Sequence, residues 1–169
     1  MSEVDLKRFD TALRRGEVPG DLMAGLEDVD PSTVLTVMWA GRLSRRVDAF
    51  YQERLRPQGL KYSDYSVLLI LRFSGAMSPK AINRYLAITS GGLTKSIQRL
   101  EKAELVSREP DPADGRGTLI SLSKEGQRTV TRMFQEDMKA HEALLRDISA
   151  DAREHIAASL RNLLEAYEG

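Results

Sequence analysis

Hydrophobic residues recur every three or four positions along most of this chain and alternate in only one short stretch. Helical spacing is what the buried face of an amphipathic helix leaves in a sequence, and alternation marks a strand. Leu6, Phe9 and Leu13 predict a short helix in a leading appendage, residues 1–31, which "RRGEVPGDLMAG" then punctuates with Gly and Pro. "DPS" at 30–32 opens the first long helix, because Asp30 can cap it and Pro31 suits the first helical position. Pro57 and Gly59 end that helix near Arg56. A second helix starts near Ser63, with Ser63 as cap, Asp64 favourable to the dipole and Gly75 after its end. Its continuous apolar run, Val67 to Leu71, predicts burial on most sides. Ser78 and Pro79 repeat the start signal for a helix of about two turns.

"TSGGLTKSIQRLEKAEL" opens the next helix, capped by Thr89 or Ser90, with Leu93, Ile97 and Leu100 on one stripe. The alternating stretch follows: strands at about 106–109 and 118–122 around the turn "DPADGRG". Ser123 caps a long helix with apolar positions Val130, Phe134, Met138, His141, Leu145 and Ile148. Ser149 or Asp151 caps a last helix carrying Ile156, Leu160, Leu163 and Tyr167. No internal repeat and no low-complexity segment interrupts this order.

Composition narrows the class. The 169 residues suffice for one real core, and 41% hydrophobic with 30% charged residues is a globular composition. No apolar run reaches the roughly 18 residues that span a bilayer. "MSEVDLKRFD" lacks the apolar core of a signal peptide, so a cytoplasmic protein with no membrane partner is expected. The absence of cysteine excludes disulfides, thiolate nucleophiles and Cys-rich zinc sites. Two histidines, His141 and His155, give no metal-ligand spacing. No Walker-type loop, GxSxG or HExxH occurs, so no catalytic centre, metal or cofactor is expected.

Net charge is zero, with 25 basic and 25 acidic residues, so any case for nucleic acid rests on where the charges sit. Between Ser78 and Leu100 lie four basic residues, Lys80, Arg84, Lys95 and Arg99, and no acid. Residues 142–169, by contrast, hold six acids against three arginines. Opposite the stripe of the 90–102 helix stand Gly91, Thr94, Lys95, Gln98 and Lys102, with Arg99 on the flank. Hydroxyl, amide and cationic side chains of this kind pair with base edges in a major groove. A charged outer face is also what any solvated amphipathic helix carries. The hairpin tips the balance, because a two-stranded ribbon must pack on neighbouring helices and here projects a charged tip. Arg116 at that tip suits the negative potential of a minor groove, with Asp111 and Asp114 bracing the turn.

With its flanks, "ITSGGLTKSIQRLEKAELVSREPDPADGRGTLISLSKEG" (88–126) resembles the recognition helix and wing of the MarR family of transcriptional regulators, a likeness running over residues 32–167. "TSGGLT" is similar to the branch that answers urate and related aromatic acids. The resemblance implies a mainly α fold with a small β-hairpin wing, a dimeric winged helix–turn–helix. It divides the chain into a 1–31 extension, a first dimerisation helix at 32–60, a DNA-binding lobe at 61–123 and dimerisation helices at 124–169. It also implies a ligand-responsive repressor that binds an inverted-repeat operator in double-stranded DNA as a homodimer. Base contacts then fall to Thr89, Ser90, Thr94, Lys95 and Gln98, with Arg99 on phosphate and Arg116 in the minor groove. Ala113 and Gly115 stand where family wings often hold arginine, so Arg116 carries more of that contact.

Such a regulator takes a small aromatic or anionic ligand. Trp39, Arg42, Arg46 and Phe50 share one broad face of the first helix, where an aromatic wall beside two guanidiniums suits an anionic ring. The pattern also fits, and favours, interface core with arginines paired to C-terminal acids. Two rivals stay open: a helical homodimer for protein interaction or small-molecule binding that has lost DNA binding, and an enzyme built on the dimer cavity. Acids neutralising the surface around Lys95 and Arg99 would mark the first. A strongly perturbed carboxylate or histidine in a closed pocket would mark the second.

Overall fold

Asp30 and Pro31 open the first long helix as the sequence predicts. In the computed structural model, which describes residues 11–20, 23–86, 88–112 and 114–169 and only the backbone of Gly115 and Arg116, the Asp30 carboxylate accepts from the Ser32 amide at 2.7 Å. The hydrogen bonds to Ser32 hold that carboxyl below the usual carboxylate range. Helix α1 spans Pro31–Leu55, followed by a 3-10 turn at Arg56–Gln58. Gly59, at φ +67°, takes the left-handed conformation that closes it. Then come α2 (Tyr62–Ser74), α3 (Pro79–Asn83), α4 (Ser90–Lys102), β1 (Val106–Asp111), β2 (Asp114–Leu122), α5 (Lys124–Leu144) and α6 (Ala150–Glu168). The structure is mainly helical with one antiparallel hairpin.

Two compact units divide the chain, Met1–Tyr62 and Ser63–Gly169. In the first, Tyr51 and Leu55 are the buried residues of α1, and the Tyr51 ring stacks on Tyr62 at 4.6 Å. Leu13 is buried in a short helical stretch at 11–14, while Leu6 and Phe9 lie outside the described residues. The second unit gathers Tyr65, Val67, Leu68 and Leu71 of α2 with Ile82, Leu93, Ile97, Leu100, Ile120, Val130 and Met133 into one core. Full burial of a Leu or Ile side chain is worth about 1.5–3 kcal/mol, so the α4 stripe is a substantial anchor.

Several local expectations shift. Helix α2 begins at Tyr62, so Ser63 lies inside it and is not its cap. Helix α3 has five residues and falls short of two turns. The buried face of α5 is Gly126, Val130, Met133 and Asp137, so only Val130 of the expected stripe is core. Met138 is exposed, and Leu145 and Ile148 lie past the end of the helix. An acid at position 137 disguises the true face in the sequence.

The wing strands are longer than predicted. Their register runs from Val106↔Leu122 to Pro110↔Thr118 and then jumps to Asp111↔Asp114, skipping 115–117. That bulge absorbs "GRG" inside β2, so the turn itself is narrower than "DPADGRG". At Gly117 a Cβ would come within 2.8 Å of Asp111 Cβ, which explains the glycine. Met77 adds an isolated bridge beside β2: its amide donates to the Ile120 carbonyl at 3.0 Å, and the Ile120 amide donates back at 2.8 Å.

A dense junction ties α4, the wing and α5 together. Glu104 ends α4 at φ +58°, a left-handed conformation that favours glycine. Ser123 Oγ donates to the Glu104 carbonyl at 2.6 Å and accepts from the Gly126 amide at 2.9 Å. The Ser123 amide donates to the Leu105 carbonyl at 3.0 Å. Any Cβ on Gly126 would sit 1.9 Å from that same oxygen, so α5 docks through backbone contact.

Candidate nucleic-acid interface

Helix α4 owes its start to Thr89, whose Oγ1 accepts from the Gly92 amide at 3.1 Å. Leu93, Ser96, Ile97 and Leu100 turn inward, at the i, i+3, i+4, i+7 spacing of one helical face. Thr89, Ser90, Thr94, Lys95 and Gln98 are all exposed, on the opposite side. The Thr94 hydroxyl donates to the Ser90 carbonyl at 3.0 Å, which leaves its lone pairs free to accept. Among the described residues no carboxylate lies within ion-pair distance of Lys95. A Cβ at Gly91 would meet nothing within 4 Å, so the first turn is open to a close-approaching surface.

Arg99 does something the sequence did not suggest. Its Nε donates to Asp64 Oδ2 at 3.0 Å and its Nη2 to Asp64 Oδ1 at 2.6 Å. Asp64 is fully buried, and Ser96 Oγ donates to it from the same helix. The expected dipole partner of α2 is therefore a brace that clamps α4 by two side chains. Hydrogen bonding to Asp64 raises the pKa of Arg99 against the opposing effect of burial, so the guanidinium stays cationic and neutralises the interior carboxylate. The phosphate role expected of Arg99 is thus limited by two of its N–H groups being engaged inside the lobe. Asp64 and Ser96 were missed because their partners stand 35 and 32 residues away.

Near the C-terminus of α4, Glu101 pairs with Arg108 of β1 at 2.7 Å and links helix to wing. Lys80, Arg84, Lys95 and Lys102 remain exposed cations on or beside the helix pair. Arg116 sits in the β2 bulge, and its side chain lies outside the described part of the structure. Neutralisation by an acid, the mark of a lobe that has lost DNA binding, is met at Arg99 and not at Lys95.

In the first unit, the Arg42 guanidinium carbon lies 5.6 Å from the centroid of the Trp39 ring. Arg42 and Arg46 line a groove of about 390 Å³ together with Leu13, Met38, Arg45 and Ala49. Trp39 stands beside that lining and is 40% exposed. Phe50, expected on the same face, instead meets Tyr51 edge-on at 5.2 Å and takes Arg54 over its ring.

A short helix, a tight connection, a second helix with an outward polar and cationic face, and an adjoining hairpin define a winged helix–turn–helix lobe. Residues 58–117 match the MarR family. YwoH of Bacillus subtilis, an uncharacterized HTH-type transcriptional regulator, is 34% identical over 113 residues, which cover 67% of this chain and 82% of that protein. The chain belongs to the MarR family, and it is a DNA-binding transcriptional regulator, not an enzyme. Its structure is similar to that of a mutant MarR from Escherichia coli complexed with operator DNA (25% identity, TM-score 0.63, 76% of this chain and 96% of that one). It is also similar to Bordetella bronchiseptica BpsR (25% identity, TM-score 0.66, 76% and 97% covered), whose DNA binding is regulated by 6-hydroxynicotinic acid. Among the described residues no helix is long and apolar enough to cross a membrane.

Proposed function

We propose that this regulator is a cytoplasmic repressor that binds an inverted-repeat operator as a homodimer and releases it when a small aromatic acid binds. The observation that carries the reading is the sorting of α4: one face is clamped by Asp64 and the core, and the other offers Thr89, Ser90, Thr94, Lys95 and Gln98 to solvent. Gln98 and Lys95 are the base-reading candidates, Thr89 and Ser90 bind at the open N-terminus, and Arg116 enters the minor groove. Arg99 orients the helix and turns its remaining edge to phosphate. Operator complex formation by the similar MarR supports the DNA side of this reading, and the similar BpsR supports an aromatic acid as effector.

Dimerisation follows from apolar surface that a single chain leaves uncovered. Helix α6 has no buried residue along its 19 positions, yet it presents Ile156, Leu160, Leu164 and Tyr167. Val37, Trp39 and Leu43 are likewise exposed on α1. Stripes of this length on a soluble chain mark a protein interface. In the bound dimer the two α4 helices stand about 34 Å apart, one turn of B-DNA. An effector held near Trp39, Arg42 and Arg46 acts through its differential affinity for two spacings of the lobes.

A gel shift with the DNA upstream of the protein's own coding region, with and without aromatic acids, tests this directly. Retardation as a dimer, reversed by such an acid, is the expected result. Gln98→Ala in the same assay lowers discrimination between operator and random duplex more than it lowers nonspecific binding. No retardation at low salt refutes the DNA reading, and retardation indifferent to every acid removes the effector.

A further inference from the structure

We infer that the α1 groove is a site for a small dianion with an apolar body, with an aromatic dicarboxylate as its chemical class. This rests on the reading that an acid near Trp39, Arg42 and Arg46 controls the protein, and it makes Arg45 a determinant of which acid. The groove is lined by the apolar side chains of Leu13, Met38 and Ala49 together with Arg42, Arg45 and Arg46. Arg42, Arg45 and Arg46 fall at i, i+3 and i+4, where like charges crowd one helical face and destabilise it. Among the described residues neither Arg45 nor Arg46 has a carboxylate within ion-pair distance. The charges of Arg45 and Arg46 are therefore uncompensated by the described protein around them.

Size and polarity set the ligand class. A cavity of about 150 Å³ already accepts benzene, so a groove of about 390 Å³ holds a ring with two carboxylates. Guanidinium forks match carboxylates bidentately, and the forks of Arg45 and Arg46 offer one to each of two carboxylates. The apolar part of the lining, Leu13, Met38 and Ala49, favours a ring over a bare inorganic anion. Arg45 is exposed, on α1 and outside the DNA-contacting set, so its replacement leaves the lobe unaltered.

Calorimetric titration of the whole protein with benzene-1,2-dicarboxylate, benzoate and inorganic phosphate tests the inference. The fluorescence of Trp39, the only tryptophan, reports whether binding occurs beside Arg42. The dicarboxylate is expected to bind about tenfold tighter than benzoate and than phosphate, with a change in Trp39 emission. Arg45→Gln is expected to reduce the dicarboxylate to the affinity of benzoate while operator binding without effector is unchanged. Equal affinities for the two organic acids, an Arg45→Gln variant identical to wild type, or phosphate binding as tightly as the dicarboxylate each overturn it. No binding of the dicarboxylate overturns it as well. Benzoate that releases the operator in wild type and Arg45→Gln alike leaves the aromatic-acid reading standing and defeats only the dianion. Acids that bind without affecting the operator defeat the effector reading and leave the site.

Discussion

Arg99→Ala isolates the clamp between α2 and α4. The Asp64 carboxylate is fully buried, and the substitution removes both guanidinium hydrogen bonds while Ser96 Oγ remains. Breaking a buried pair from one side costs about 3–5 kcal/mol, because a charge is left inside without its partner. The Arg99 side chain is 33% exposed, so water reaches the vacated space and the lower end, about 3 kcal/mol, applies. In a domain of this size that lowers the melting temperature by roughly 6–12 °C. The pair Asp64→Asn with Arg99→Ala carries no buried charge and should recover much of the loss, a coupling of about 0.5–3 kcal/mol in a double-mutant cycle. Thermal melts of the four proteins, followed by circular dichroism at one concentration, provide the measurement. An Arg99→Ala variant melting within about 2 °C of wild type would refute the clamp. Operator affinity separates clamp from phosphate contact, because buried Asp64 cannot touch DNA. Weakened binding by Asp64→Asn identifies a positioning role, and full affinity in that variant beside a loss in Arg99→Ala assigns Arg99 to phosphate.

The remaining predictions concern the junction and the wing. Gly126→Ala should cost on the order of 3 kcal/mol in urea unfolding, since its Cβ would lie 1.9 Å from the Leu105 carbonyl oxygen. Unchanged stability there would mean that α5 can withdraw from the wing. Glu104→Gly should stabilise the fold by about 0.5–1 kcal/mol by relieving the left-handed backbone at φ +58°, and a destabilised variant would point to a contribution from the glutamate side chain. Arg116→Ala should weaken operator binding by on the order of 1–3 kcal/mol with the oligomeric state intact. Wild-type affinity at fixed salt would remove the wing from DNA binding.

What the sequence revealed was local, and what it hid was not. Caps at Asp30, Ser78, Thr89, Ser123 and Ser149 could be read because each oxygen serves an amide two or three residues away. The inward stripe of α4 and its exposed polar face were equally legible, since helical period alone assigns them. The Asp64 brace was not, because nothing near Asp64 in sequence distinguishes a carboxylate at a helix start from one buried against a distant arginine. Helix α5 misled through two overlapping stripes, and Asp137 on the buried one made the other look better. In the wing, alternation located both strands, yet the skip at 115–117 depends on cross-strand pairing that no single strand encodes. The arginine groove was half visible: Arg42 and Arg46 stood out, whereas Arg45 on the same helix was passed over and Leu13 comes from the leading segment.

The central claim is that the outward face of α4 holds the operator. Lys95→Glu reverses one exposed charge at the middle of that face and leaves the buried stripe untouched. Anisotropy titration of a labelled operator duplex at fixed salt should show affinity lower by at least about tenfold, with an unchanged melting temperature. Affinity equal to wild type in a folded Lys95→Glu protein would contradict the account.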